Sequence, residues 1–260
     1  MNLFSARLET AKEIAKSAGK LATSYQLKMD SLSIESKGPH NWVTEADIAV
    51  ENHIRDRIKA SFPNDKILGE ELGCDNKSLP IWVIDPIDGT SNFTRGIPFW
   101  SIVLAWVDEE GTQIGVVYDP VTDELFYAEK DLGAWKNGER IQCSKTEEPK
   151  HAVLGIGHAW HSAFSYHDII DGLRSNEADY RRFGSAALSL AHTACGRIDG
   201  YYERFLNSWD FLAGALLVQE AGGKAVEASL QEIFTGCEVY ATNKHLNIET
   251  FFPTFTEEQG

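Results

Sequence analysis

The stretch Ile81-Trp82-Val83-Ile84-Asp85-Pro86-Ile87-Asp88-Gly89-Thr90-Ser91-Asn92-Phe93 decides how this chain is read. Its apolar run, Ile81 to Ile84, predicts a short buried strand. That strand delivers Asp85 to its C-terminal end, where α/β proteins gather ligands. Pro86 has no N–H to give to a ladder and is expected to stop the strand. Asp88 lies one turn further on, so two carboxylates converge on one small volume. Gly89 permits close backbone approach, and the amides of Gly89, Thr90 and Ser91 can open a helix whose N-terminal pole attracts phosphate. Two like charges this close repel unless a cation holds them. Oxygen donors with no Cys or His nearby favour Mg²⁺, with Mn²⁺ as a substitute, over Zn²⁺. The plainer alternative is a turn at Asp88-Gly89 with Asp85 as a cap.

Further acids lie outward from this stretch. Lys66-Ile67-Leu68-Gly69 reads as a second buried strand ending in Glu70 and Glu71. Strand neighbours point to opposite faces, so only one of the pair faces the site. Asp47 lies in a helix that starts at Thr44 and carries Val50, Ile54 and Ile58 on one face. Thr44-Glu45-Ala46-Asp47 also reads as a capping box with Asp in place of Glu. Asp210 follows Trp209 at the head of another helix, where a simple cap is again an alternative.

The rest of the chain supplies the frame. Phe4, Leu8, Ala11, Ala15, Ala18, Ala22 and Tyr25 predict an amphipathic helix over Leu3 to Lys28. Phe99 to Val107, Ile114 to Tyr118 and Leu125 to Ala128 read as a meander, with a hairpin turn at Asn137-Gly138. The polar segment Thr146 to Lys150 marks a boundary between two halves, 1–148 and 149–260. The first half holds the N-terminal helices, an antiparallel sheet and most of the acids. In the second, strands near 152–156, 180–183, 198–203 and 238–241 alternate with helices near 164–174, 185–196 and 209–221. Gly222-Gly223 stops the last of these helices. The expected class is α/β (α+β), with helices and sheets in layers.

A hydrophobic fraction of 43% with 11% aromatics in 260 residues fills a core and excludes global disorder. With 24 Lys+Arg against 39 Asp+Glu the net charge is −15. That balance argues against direct nucleic-acid binding or an anionic membrane held by bulk charge. It leaves room for a phosphate ligand held through divalent cations. No apolar run approaches the roughly 18 residues of a membrane span. Cys74, Cys143, Cys195 and Cys237 contain no C-x-x-C pair and read as reduced packing residues, so the cytoplasm is expected.

Taken together, Gly69-Glu70-Glu71, the Trp82 to Phe93 segment and Trp209-Asp210 resemble the inositol monophosphatase family. Asn41-Trp42-Val43-Thr44-Glu45-Ala46-Asp47, Arg182-Phe183-Gly184-Ser185-Ala186-Ala187, Gly200-Tyr201-Tyr202-Glu203 and Glu220-Ala221-Gly222-Gly223 support the likeness, which runs over about residues 5 to 245. The resemblance implies a layered αβαβα sandwich of the type shared with fructose-1,6-bisphosphatase. It also implies a homodimer and a Mg²⁺-dependent, lithium-sensitive phosphomonoesterase using two or three ions.

By the same resemblance, Glu70, Asp85 and the carbonyl of Ile87 would hold one ion. Asp85 would bridge to a second completed by Asp88 and Asp210, with a weaker third near Glu70. Thr90, Glu70 and Asp47 would orient the attacking water and accept its proton, with no phosphoenzyme. Asp88, the Gly89 and Thr90 amides, Gly184, Ser185, Ala186, Glu203 and Asp210 would face the substrate. Lys37 would belong to a mobile basic loop. The implied substrate is a small phosphorylated alcohol, myo-inositol monophosphate first. Histidinol phosphate, fructose 1,6-bisphosphate, 3′-phosphoadenosine 5′-phosphate and NADP are the alternatives.

Two stretches depart from familiar members, Gly155 to Phe164 and Phe205-Leu206-Asn207-Ser208. The histidines His158, His161 and His167 read as surface or packing residues rather than a transition-metal site. Gly155-x-Gly157 is no dinucleotide fingerprint, because Trp160 stands where the third glycine belongs. A haloacid-dehalogenase-like reading, with Asp85 as nucleophile, conflicts with the three-residue spacing to Asp88 and with Pro86. A reading of another class makes the chain a partner-binding protein of the transcription machinery, as some bacterial relatives are.

Overall fold

The structure is a computed structural model that describes residues 5–28, 34–38, 41–74, 76–157 and 166–252. Helix α1 (Ala6–Gln26) begins where the Ser5 hydroxyl accepts the Leu8 amide, so a polar cap and not the apolar pattern sets its start. A hairpin follows, β1 (Ile34–Gly38) with β2 (Asn41–Thr44), which the sequence pattern did not reveal. Next come α2 (Glu45–Ser61), β3 (Lys66–Gly69), β4 (Gly73–Cys74), β5 (Ile81–Asp88) and the one-turn helix α3 (Thr90–Phe93). The expected meander is β6 (Ser101–Asp108), β7 (Gly111–Asp119), β8 (Glu124–Glu129), β9 (Gly133–Lys136) and β10 (Glu139–Arg140). Its last turn is the expected one: Asn137 and Gly138 both take positive φ between the paired Lys136 and Glu139.

These strands form an eight-stranded sheet in the order β10-β9-β8-β7-β6-β5-β3-β4. Only β3 and β5 pair in parallel; the other neighbours are antiparallel. The second half contributes β11 (Val153–Ile156), α4 (Tyr166–Ser175), β12 (Asp179–Arg181), α5 (Ala186–Ala194), β13 (Gly200–Leu206) and α6 (Ser208–Glu220). It ends with β14 (Lys224–Ala225), α7 (Glu232–Thr235), β15 (Cys237–Thr242) and α8 (Ile248–Phe251). Its sheet runs β12-β11-β13-β15-β14. The chain thus passes from one sheet to the other between Arg140 and Val153.

Three cores define five layers. Leu8, Ile14 and Ala18 of α1 with Val50, Ile54 and Ile58 of α2 cover one face of the large sheet, against Trp82, Ile84 and Leu104. On its other face, Val83, Val103 and Val117 meet Leu188, Leu190 and Ala191 of α5 and Phe211, Leu216 and Leu217 of α6. The same core reaches Tyr201, Val239 and Ala241 of the small sheet, so α5 and α6 lie between the two sheets. Beyond it, Leu154, Ile156 and Tyr202 pack on Ile169, Leu173 and Phe251 of α4 and α8. This is the αβαβα arrangement. Among the described residues, no helix is long and apolar enough to cross a membrane.

Pro86 does not end its strand. Asp85 pairs with Val103 and Asp88 with Ser101, so three steps of β5 run opposite two of β6. Pro86 and Ile87 occupy this bulge, which absorbs the missing N–H and turns both aspartates toward the same end of the sheet.

Candidate metal centre and substrate cleft

Asp85, Asp88 and Asp210 each offer a carboxylate oxygen, and these oxygens lie within 4.8 Å of one another. Asp85 and Asp88 are buried, and Asp210 opens on the cleft beside them. The bulge in β5 supplies the first two. The head of α6 supplies the third, where the Asp210 carboxylate also accepts the Asn207 amide at 3.1 Å in a capping box. The capping role and membership of the cluster therefore coexist in one side chain. Glu70, one residue beyond β3, is hydrogen-bonded through its side chain to Asp85.

The electrostatics are those of an anionic cup. Burial raises the Asp85 carboxyl well above its ordinary value, and the charges of Glu70, Asp88 and Asp210 raise it further. Asp210 rises for the same reasons: burial first, then Glu70, Asp88 and Glu203. Asp88 is pushed up to about 6 by burial, although four donors oppose the shift. Those donors are the Ser185 hydroxyl, the Ala187 amide at 3.0 Å, the Ala186 amide at 3.3 Å and the Ser101 hydroxyl at 3.3 Å. The set is all oxygen, clustered, and mutually repulsive, which fits a hard divalent cation.

Beside the cup, the Thr90 hydroxyl reaches the Asp47 carboxylate at 3.3 Å and the Ile87 carbonyl at 3.0 Å. Asp47 is fully buried on α2 and, through its bond from the Thr90 hydroxyl, lies beside the cup. Gly89 takes φ 93°, closed to most side chains, and a Cβ there would press on the Gly184 and Phe99 carbonyls. A cleft of about 540 Å³ opens from the cup, lined among others by Asp88, Ser91, Arg182, Gly184, Glu203 and Asp210. Ser185 and Ala186 also line it, while their hydroxyl and amide hold Asp88. The Tyr201 hydroxyl donates to Glu203, and a Cβ on Gly157 would overlap that carboxylate. Glu203 is therefore gripped from two sides. Lys37 lies on β1, its side chain outside the described residues, as are residues 158–165 with His158 and His161. His167 sits on α4, on the outer layer and away from the cleft lining.

Several functional contacts escaped the sequence reading. Asn92 donates its side-chain amide to the Phe99 carbonyl at 2.7 Å and the Phe183 carbonyl at 2.8 Å, joining the loops of the two halves. Tyr201 was not singled out apart from its motif. Glu51 and Arg55 follow Asp47 at four-residue steps on α2, and that spacing, which puts all three on one helix face, was the available signal.

A model of the inositol monophosphatase family matches residues 5–258. The Nus factor SuhB of Escherichia coli K12 is 39% identical over 221 residues, covering 83% of each chain. Among solved structures, the extragenic suppressor protein SuhB of Bartonella henselae superposes with a TM-score of 0.88 at 31% identity, covering 97% of this chain and 99% of that one. The inositol monophosphatase of Anabaena gives 0.81 at 32% identity, covering 95% and 94%. The acids that meet in the cup come from the segments that carried the likeness in sequence, and the chain belongs to the inositol monophosphatase family.

Proposed function

We propose that the chain is a Mg²⁺-dependent phosphomonoesterase acting on a small phosphorylated alcohol, with myo-inositol monophosphate the first candidate. The observation that carries this reading is the Asp85, Asp88 and Asp210 cluster, which among the described residues forms no ion pair with Lys or Arg and opens directly on a cleft that contains Glu203. Glu70, Asp85, Asp88, Asp210 and the Ile87 carbonyl would hold the ions. Bound divalent cations supply charge neutralisation for the phosphoryl oxygens and acidify water near neutral pH.

The side chains do the rest. Thr90, hydrogen-bonded to the buried Asp47, orients the attacking water and passes its proton toward that carboxylate, with Glu70 as the second acceptor. The Gly89 and Thr90 amides would receive phosphate oxygens at the start of α3. Water beside Asp210 would protonate the departing alkoxide. Glu203, held by Tyr201, would accept hydroxyl protons of the alcohol, with Gly184, Ser185 and Ala186 shaping that side. An amine such as that of histidinol phosphate would pair with the same carboxylate.

The test is phosphate release from inositol monophosphate, histidinol phosphate, fructose 1,6-bisphosphate, 3′-phosphoadenosine 5′-phosphate and NADP, with Mg²⁺, Li⁺ or chelator. The reading expects turnover of one ester with Mg²⁺, inhibition by Li⁺ and none in chelator. Full activity in chelator overturns it. The reading also includes a homodimer, checked by sedimentation, and a reducing cytoplasm, supported by four free cysteines.

A second reading, a partner-binding protein of the transcription machinery, is favoured by relatives that carry the name Nus factor. The net charge of −15 directs that role toward a protein partner rather than RNA. Complementation separates the two: an Asp85→Asn chain that loses phosphatase activity yet keeps full cellular function puts binding first.

A further inference from the structure

Glu51 is fully buried on α2, and its carboxylate lies under the turn that follows β3. It accepts the Glu71 amide at 2.8 Å and the Leu72 amide at 3.2 Å. Arg55, one helical turn on and itself buried, donates Nε to the same carboxylate at 2.8 Å and Nη2 to the Gly73 carbonyl. The close approach is possible because residue 69 is glycine: a Cβ there would overlap the Glu51 carboxylate. Thus the two backbone amides immediately after Glu70 end on a buried carboxylate, while the Glu70 amide itself ends on the Ile84 carbonyl of β5. Besides the β3–β4 pairing of Gly69 with Gly73, the backbone bonds around Glu70 run to α2 and to the strand that carries Asp85.

We infer that Glu51 and Arg55 are positioning residues that hold Glu70 at the metal cup before any ion arrives. Asp47 lies one helical turn before Glu51 on α2, so a single rigid helix places both the partner of Thr90 and the seat of Glu70. A turn that must offer a carboxylate to a cation next to three others has reason to swing away in the free protein. The Glu51 clamp opposes that swing through backbone bonds that do not depend on the ion. Groups that orient a metal ligand without touching the metal change affinity by about 10- to 100-fold when removed.

This inference rests on Glu70 being a metal ligand, and the experiment separates the two. Mn²⁺ binding to the full chain is followed by the paramagnetic resonance of free Mn²⁺, without substrate, for the parent and for Asp85→Asn, Glu51→Gln and Arg55→Lys. Asp85→Asn tests the metal reading itself and is expected to lose binding; unchanged binding there removes the ground for the inference. Glu51→Gln is expected to weaken Mn²⁺ binding at least tenfold, to raise the Mg²⁺ concentration for half-maximal phosphate release in proportion, and to leave kcat at saturating Mg²⁺ within about twofold. A kcat loss with unchanged Mn²⁺ affinity marks a merely structural clamp and overturns the inference. Should Glu51→Gln not fold by circular dichroism, Arg55→Lys decides. It keeps the bonds to Glu71 and Leu72 but loses the fork to Gly73, and is expected to weaken Mn²⁺ binding in the same direction. Parent-like affinity in Arg55→Lys then counts against the clamp.

Discussion

Glu124 lies 2.9 Å from Lys136 and 2.5 Å from Arg197, and hydrogen bonding from Arg197 holds its carboxyl down at about 2. Asp88, surrounded by neutral donors and other acids, is pushed up to about 6, and Asp85 and Asp210 rise well above their ordinary value. Glu124 is itself only 14% exposed, so burial alone does not separate the two regions. What separates them is direct ion pairing with cationic side chains. Among the described residues no Lys or Arg forms an ion pair with Asp85, Asp88 or Asp210, whereas Glu124 has two such partners. One group of acids is paired within the folded chain; on the proposed reading the other is completed by ions from solution.

The largest expected effect breaks the second group. Asp85→Asn or Asp88→Asn should lower phosphate release at least about a hundredfold, since each removes a charge from the ion clamp. Circular dichroism should show the fold kept. In chelator the same Asp85→Asn chain should melt higher than the parent by roughly 2–4 °C, the shift of about 1 kcal/mol in a chain of this size, because a buried repulsion is gone. A lower melting temperature there would contradict the comparison.

A second test joins the loops rather than the charges. Asn92→Ala strands the Phe99 and Phe183 carbonyls and should cost about 1–3 kcal/mol in urea unfolding. Because those loops carry the cup on one side and the Asp88 donors on the other, phosphate release should fall as well. An unchanged unfolding midpoint would show that the halves need no such clasp.

The pH dependence sharpens the contrast with a sign. Asp88 keeps its proton up to about 6 in the folded chain, whereas an unfolded aspartate loses it near 3.9. Over that interval the folded state holds more protons, so metal-free stability falls as pH rises from 4 through 6, and continues to fall as Asp85 and Asp210 lose theirs. Glu124 acts in the opposite sense, but in its own window: its stabilising charge is present above the ordinary carboxylate range and lost only as pH falls toward about 2. In chelator, scanning calorimetry should therefore give a lower melting temperature at pH 7.5 than at pH 5, and Mg²⁺ should remove the decline. A metal-free melting temperature that climbs over this interval would contradict the assignment. The smallest effect belongs to Glu124→Gln: its partner Arg197 is 39% exposed, so the loss should be about 1 kcal/mol or less, with phosphate release unaltered.

Helices, strands and the Asp85–Asp88 pair were readable from local rules, while the five-layer arrangement and the gathering of Glu70, Asp47 and Asp210 beside that pair came from the family resemblance. Apolar periodicity separated helices from strands, and Asn137-Gly138 fixed a hairpin by its backbone preference. The acids of the cup sit in short motifs whose spacing survives folding. Pro86 misled because the missing N–H falls in a bulge, which only the partner strand β6 reveals. The Ser185, Ala186 and Ala187 donors to Asp88 come from about a hundred residues away, and no local pattern announces such a contact. Glu51 went unremarked in the sequence because the turn it holds, after Gly69, comes from about twenty residues further along the chain.

The most direct measurement is an anomalous-scattering map at the manganese edge from a crystal of this chain grown with Mn²⁺. The account predicts peaks within coordinating reach of the carboxylates of Asp85, Asp88 and Asp210, with the Glu70 carboxylate beside them. A map from Mn²⁺-saturated crystals with no peak among those side chains would contradict it.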